Sequence, residues 1–285
     1  MFEIYGFAAS ILIGVSLGLI GSGGSILTVP VLVYLFGVNP VAATSYSLFI
    51  VGSTAALGSV GYFRKGLVNV KTAIVFGIPS IIAVFITRAY IVPAIPNDVA
   101  TFNSFVVTKG ILLMLLFALL MIAASYSMIR KKGCEENKEE KDQKFNYPLI
   151  LIEGLLVGVV TGLVGAGGGF LIIPALVFLS KLPMKEAIGT SLIIIAAKSL
   201  LGFFGESSET IIDWQLISSV TLFAAVGIFI GMYISKKVNA AKLKPIFGWF
   251  VLLMGIYIIL NEVFISNRKQ NVNQQEQAIE NQPNN

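Results

Sequence analysis

From Ile111 to Met128 the chain carries no charged residue, and the same holds from Ile246 to Leu260. A third run, Ile211 to Ile234, holds one, Asp213. Runs of about 18 or more apolar residues read as membrane-spanning helices. Lipid offers no hydrogen bonds, so a spanning segment must satisfy its own backbone. Several such runs in one chain leave few folds open. Composition closes the soluble alternative: 56% of the 285 residues are hydrophobic and 12% are charged, more apolar surface than a water-soluble domain of that size hides. The expected class is an all-α polytopic membrane protein. The N-terminal "MFEIYGFAASILIG" carries Glu3 and no basic flank, so it reads as a retained helix and not a signal peptide.

Apolar segments fall at about 4–36, 41–63, 69–95, 104–129, 147–180, 186–204, 211–235 and 244–265. The mixed-charge stretch "RKKGCEENKEEKDQKFNY" divides them into two sets of four. The expected organisation is a first transmembrane repeat at 1–129, a cytoplasmic linker at 130–146, a second repeat at 147–266, and a polar, Asn/Gln-rich tail at 267–285 without packing residues. The halves are related by one constant shift. It carries "GVSLGLIGSGGSILTVPVLVYL", starting at Gly14, onto "GVVTGLVGAGGGFLIIPALVFL", starting at Gly158, without a gap. Gly18, Gly21, Gly23, Gly24 and Pro30 fall on Gly162, Gly165, Gly167, Gly168 and Pro174, and Asn69 falls on Asp213. Glycines and prolines at fixed spacing are far harder to match by accident than aliphatic residues, so the halves are read as a duplication.

Loop charge then constrains orientation, because Lys and Arg gather on the cytoplasmic side. The basic loops contain Arg64, Lys65 and Lys71; the linker; Lys181 and Lys185; and Lys236, Lys237, Lys242 and Lys244, whereas "GESSETIID" is acidic. Eight plain crossings would put these basic loops on opposite faces. The first segment of each half is about 33 residues, or about 50 Å of helix, too long for one crossing of a core about 30 Å thick. If each enters and returns on one side, all basic loops share a face and the repeats are inverted, each opening with a Gly-broken helical hairpin. Broken helices in inverted repeats are a transporter architecture.

Glycines let backbone N–H groups approach a ligand, and a helix starting after them points its positive end there. The competing reading is that glycines three or four apart only permit close helix packing. Gly158, about two turns before the second break, is expected in ordinary helix. Among polar residues inside the apolar runs, Lys198 is a cationic contact for an anion, or else snorkels or pairs with Glu153 or Glu206. Glu153 sits near a segment end, as a proton-coupling group or a solvated one. The hydroxyls of Ser45, Ser47, Thr190 and Ser191 either donate to a substrate or bond back to their own helix. Arg88 is read as interfacial, with Trp214, Trp249 and Tyr257 as interfacial or packing aromatics.

"GLIGSGGSILTVPVL" and "GLVGAGGGFLIIPAL", each followed by a Ser/Thr-bearing segment ("AATSYSL", "AIGTSL"), resemble the two signature regions of the TauE/SafE sulfite-exporter-like permeases. The resemblance extends from about Ile4 to Leu260, and the first motif departs from the pattern in having Ser25 in place of a third glycine. It implies a permease for sulfite, sulfonates or related sulfur-containing organic anions.

The expectation is a non-enzymatic, multi-pass secondary transporter of a bacterial plasma (inner) membrane, moving a small anion by alternating access. The candidate substrate-binding residues are Gly23, Gly24, Ser25, Ser45, Ser47, Gly167, Gly168, Gly169, Thr190, Ser191 and Lys198. The expected partners are the lipid bilayer and a small anionic substrate, with coupling to a proton or another ion left open. No nucleic acid, metal or cofactor is expected: histidine is absent, one cysteine is present, and no Walker loop or Cys/His ligand spacing occurs. Two alternatives stand beside this reading, a divalent-metal or other cation permease and a non-transporting membrane scaffold.

Overall fold

The computed structural model describes residues 2–21, 24–102, 105–129, 147–165, 167–178, 182–205, 212–235 and 240–262. Gly23, the linker 130–146 and the tail 267–285 lie outside them. The first half runs α1 (Phe2–Ile20), α2 (Ser25–Tyr34), α3 (Pro40–Phe63), α4 (Val70–Ile86), a π-turn (Thr87–Ile91) and α5 (Val92–Ala94). Two short strands, β1 (Asp98–Phe102) and β2 (Phe105–Thr108), precede α6 (Lys109–Ile129). The second half holds α7 (Tyr147–Val164), α8 (Gly169–Phe178), α9 (Met184–Phe204), α10 (Trp214–Ser235) and α11 (Ala240–Leu260). Among the described residues, five helices are long and apolar enough to cross a membrane.

The sequence shift reappears in the helix boundaries. It carries α2 onto α8 residue for residue and the start of α4 onto the start of α10. Local chemistry explains the agreement. Both α1 and α7 end on a left-handed glycine, Gly21 (φ 76°) and Gly165 (φ 72°). Each donates its N–H four residues back, to Leu17 and Thr161 respectively, a common helix stop that only glycine enters cheaply. Asn69 caps α4 by accepting from the Thr72 N–H, and Asp213 caps the start of α10 by accepting from the Leu216 N–H. Each cap also donates its own N–H across to the other half: Asn69 to Thr190 Oγ1 and Asp213 to Tyr46 Oη, both at 2.9 Å. Tyr46 and Thr190 are themselves related by the shift.

Packing exchanges the halves in the same way: α1 lies on α10 and α7 on α4, while α3 packs on α9 and α6 on α11. The α1–α10 seam is glycine on both sides. A Cβ at Gly18 would lie 2.5 Å from the Ile228 carbonyl oxygen, and one at Gly227 would run into the Ile11 carbonyl. Gly158 is equally confined, with a Cβ position 2.6 Å from both the Ser80 carbonyl oxygen and Ala83 Cβ. It is helical, as the sequence suggests, but it is also a close contact between α7 and α4. These glycines serve helix approach. Direction can be read from the same contacts. Gly52 meets Leu200 whereas Gly58 meets Leu192, and Gly202 meets Leu48. Numbers rise along α3 as they fall along α9, so these two helices run antiparallel. Gly14 meets Ala224 and Gly18 meets Met232, so α1 and α10 run parallel.

One element departs from an all-α expectation. β1 and β2 pair antiparallel, Phe102 opposite Phe105, in a stretch where Val99, Phe102, Phe105, Val106 and Val107 favour extended chain. The helix expected from about 104 therefore begins at Lys109.

Candidate functional site

At the second glycine break, around Gly165, Gly167 and Gly168, several of the buried polar side chains come together. Gly165, Gly167 and Gly168 all have positive φ (72°, 63° and 67°), a run of backbone that β-carbon-bearing residues adopt only at a cost. Three elements close around it. From α9, the Lys198 ammonium lies where a Cβ on Gly168 would be 2.7 Å away, and Ser199 Oγ lies 3.3 Å from the corresponding point on Gly167. From α7 itself, Thr161 Oγ1 accepts a hydrogen bond from Lys198 Nζ at 3.1 Å and donates to the Gly158 carbonyl at 3.2 Å. From α3, Thr44 packs directly on Gly165, and Val51 Cγ1 lies 2.7 Å from the Cβ position of Gly167.

A second cation arrives from the other half. Arg88 sits in the π-turn that continues α4; its Nη1 donates to Thr44 Oγ1 at 3.0 Å and to Ser45 Oγ at 3.3 Å. Thr44 thus touches the glycine break on one side and the guanidinium on the other. Arg88 and Lys198 are each 1% exposed. Among the described residues they are the buried charged side chains, and both are positive. The interfacial position read for Arg88 is thereby corrected. The segment expected at 69–95 is helical through the π-turn to Ala94, and the guanidinium turns inward from it onto Thr44 and Ser45. Such π-turns recur at functional sites, and an ionisable group within a span costs about 2.5–3.5 kcal/mol on insertion scales.

Two hydroxyls complete the cluster. Ser47 and Ser199 are fully buried, and their Oγ atoms have no hydrogen-bond partner among the described residues. Ser47 lies on α3 between Thr44 and Val51, on the face that backs the glycine break, since positions three and seven apart share a helix face. Buried hydroxyls without partners are uncommon; among the described residues Thr72, Ser80 and Thr87 carry others, and Ser47 and Ser199 are the ones on α3 and α9.

The first break is built differently. The shift carries Lys198, Thr161, Arg88, Thr44 and Ser199 onto Thr54, Leu17, Met232, Ile188 and Ala55. Gly21 accordingly packs on Ile188, and the Cβ position of Gly24 lies 2.8 Å from the Leu17 amide nitrogen, back against α1. Thr54 bonds back to the Ile50 carbonyl at 2.6 Å. Ser25 is buried at the start of α2.

Of the residues singled out from sequence, Gly167, Gly168, Gly169, Lys198, Ser45 and Ser47 are thus placed at or beside one break, and Gly24 and Ser25 at the other. Thr190 receives the Asn69 N–H, and Ser191 donates to the Ile188 carbonyl at 2.8 Å, so both hydroxyls have structural partners. Lys198 bonds to Thr161 and not to Glu153. Glu153 is half-buried on α7, with one carboxylate oxygen shielded and unpartnered among the described residues. Arg88, Thr44, Thr161 and Ser199 were not anticipated.

Residues 6–258 match the profile of the sulfite exporter TauE/SafE family. The chain belongs to this family. Its relatives include a "Probable membrane transporter protein" of Xylella fastidiosa (strain 9a5c), 29% identical over 87% of this chain and 91% of that one. Another is the "Probable membrane transporter protein YunE" of Bacillus subtilis (strain 168), 27% identical over 86% of this chain and 93% of that one. No solved structure matches the chain. Family membership and the apolar helices together make this TauE/SafE protein an integral, multi-pass membrane protein.

Proposed function

We propose that the protein is a secondary transporter of a small anion, of the sulfite or sulfonate class, and that the anion binds at the second glycine break between Arg88 and Lys198. The observation that carries this reading is the sign of the buried charge. Two cations are enclosed in the described interior beside the same glycine break, Arg88 donating to Thr44 and Ser45 and Lys198 to Thr161. Enclosed like charges are tolerated when a counter-ion joins them. The hydroxyls of Ser47 and Ser199 and the left-handed backbone at Gly167 and Gly168 supply the further donors that an oxyanion's several acceptors need. A cation permease would require the opposite sign. A scaffold would gain nothing from burying two charges.

Alternating access follows from the repeat. In this reading residues 1–129 and 147–266 are inverted repeats joined by a cytoplasmic linker, and each opens with a helical hairpin broken at glycine. Support comes from α3 and α9, which correspond in sequence and run antiparallel. An operation that relates the halves and reverses helix direction has its axis across the helices, in the membrane plane, the arrangement of inverted-repeat transporters. This reading puts the transporter in a plasma (inner) membrane; the relatives' printed names support a membrane transporter.

Thermal unfolding of the purified protein tests the reading. Sulfite, a sulfonate and chloride salts of divalent cations are titrated separately. A ligand at 100 times its Kd stabilises by about 2.7 kcal/mol. The expected result is a shift with the sulfur oxyanions. A shift with a divalent cation alone, or with none of them, contradicts it.

A further inference from the structure

A groove of about 270 Å³ lies along the α4–α9 contact. It is lined by Phe63, Val70, Ile74 and Ile78 on one side and by Ile193 and Ile194 on the other. The wall is almost wholly apolar. The sequence shift supplies an internal comparison, because it carries this place onto the α3–α10 contact in the other half. There the lining residues Val70 and Ile193 correspond to Trp214 and Phe49, and Ser59, which lies outside the lining, to Phe203, while Ile74 and Ile81 correspond to the smaller Ser218 and Ala225. Those three rings pack on one another, with centroids 5.2 Å apart for Phe49–Phe203 and 5.8 Å for Phe49–Trp214. Gly77 and Ala73, which floor the groove, correspond to the larger Thr221 and Ile217. One half therefore fills this position with its own side chains, and the other leaves it open.

The charge at the mouth differs in the same sense. Arg64 and Lys65 are exposed on the turn between Phe63 and Val68, both of which line the groove, and Lys71 is exposed beside Val70. In sequence the shift replaces Arg64, Lys65 and Lys71 by Ser208, Glu209 and Gln215. An open apolar groove with three cations at its end matches one kind of molecule in a bilayer. We propose that it binds an anionic phospholipid, with one acyl chain between α4 and α9 and the phosphate on Arg64, Lys65 and Lys71. Each basic residue near an anionic headgroup strengthens binding about fivefold, so the site selects for headgroup charge as well as for an acyl chain.

The test is native mass spectrometry of the full chain purified in detergent, with phosphatidylglycerol or phosphatidylcholine of identical acyl chains added. The expected result is preferential retention of phosphatidylglycerol, reduced about fivefold for each of Arg64→Gln and Lys65→Gln. Gly77→Leu is expected to lower retention of both lipids by closing the groove. A Cβ there meets only Ile194 Cγ1 at 3.7 Å, and thermal unfolding of the variant checks that the fold is kept. Equal retention of the two lipids by the parent protein overturns the proposal, as does Gly77→Leu without effect. A dimer that Gly77→Leu dissociates also overturns it, because the groove then holds a second copy of the chain.

Discussion

Replacing Lys198 by methionine removes a charge while keeping a side chain of similar reach. The ammonium is 1% exposed and bonds to Thr161 Oγ1 at 3.1 Å. A hydrogen bond to a charged group is worth about 1.5–3 kcal/mol net. If that bond is made to the anion, Lys198→Met should raise the anion Kd by about 10- to 150-fold. Stability should move the other way or stay level. Taking a buried charge out of the ligand-free protein relieves a desolvation cost, and Thr161 keeps its donation to the Gly158 carbonyl, so no hydroxyl is orphaned. Calorimetric titration with sulfite and thermal unfolding without it read the two effects separately. A variant that binds sulfite as the parent does refutes the contact. So does one whose ligand-free melting temperature falls while its affinity is unchanged, because that pattern belongs to a lysine that only holds α9 against α7.

The glycines give three further expectations. Gly168→Ala places a Cβ at φ 67° against Thr161 and 2.7 Å from the Lys198 ammonium; left-handed strain of about 1–2 kcal/mol should come with weakened anion binding. Gly61→Ala, in the last turn of α3 with only Met232 Sδ nearby at 3.5 Å, should leave binding unchanged and melting level or slightly raised, and a loss there would show a general need for flexible helices. Gly158→Ala must push α7 from α4 at the Ser80 carbonyl, so its loss should appear as lower melting of the ligand-free protein. For topology, Cys134 in the linker and a cysteine replacing Asn239 should both resist an impermeant thiol reagent applied to whole cells and label after permeabilisation; labelling of one alone contradicts inverted repeats.

The correspondence of helix boundaries between the halves was legible because glycine and proline carry backbone meaning that aliphatic residues do not. Gly21 and Gly165 end their helices in the left-handed region, and Asn69 and Asp213 cap theirs, so matched letters became matched boundaries. The break of the first segments, between α1 and α2 and between α7 and α8, fell where the glycines pointed. The site was legible only in part. Lys198 stood out as a charge in an apolar run. Arg88 had the same signal, but its position close to the expected segment end made a solvated flank the natural reading, and nothing local announces that its side chain turns onto α3. Thr161 and Ser199 had no distinguishing mark, because their role comes from which helix faces them. The glycines of the repeat also look alike in sequence, yet Gly14, Gly18 and Gly158 serve helix packing while Gly165, Gly167 and Gly168 shape the break. Only the partners across the contact separate the two uses. The asymmetry between the breaks was in the letters all along, as Lys198 opposite Thr54 and Arg88 opposite Met232, but shared residues draw attention more readily than differing ones.

The central claim is that an anion crosses the membrane through the site between Arg88 and Lys198. Flux of radiolabelled sulfite into proteoliposomes tests it most directly, comparing the parent protein, Arg88→Met, Lys198→Met and protein-free vesicles. The account predicts saturable flux for the parent and loss of most of it in either variant, with both variants reconstituted to the same level. Parent flux no greater than in protein-free vesicles, or full flux in both variants, contradicts it.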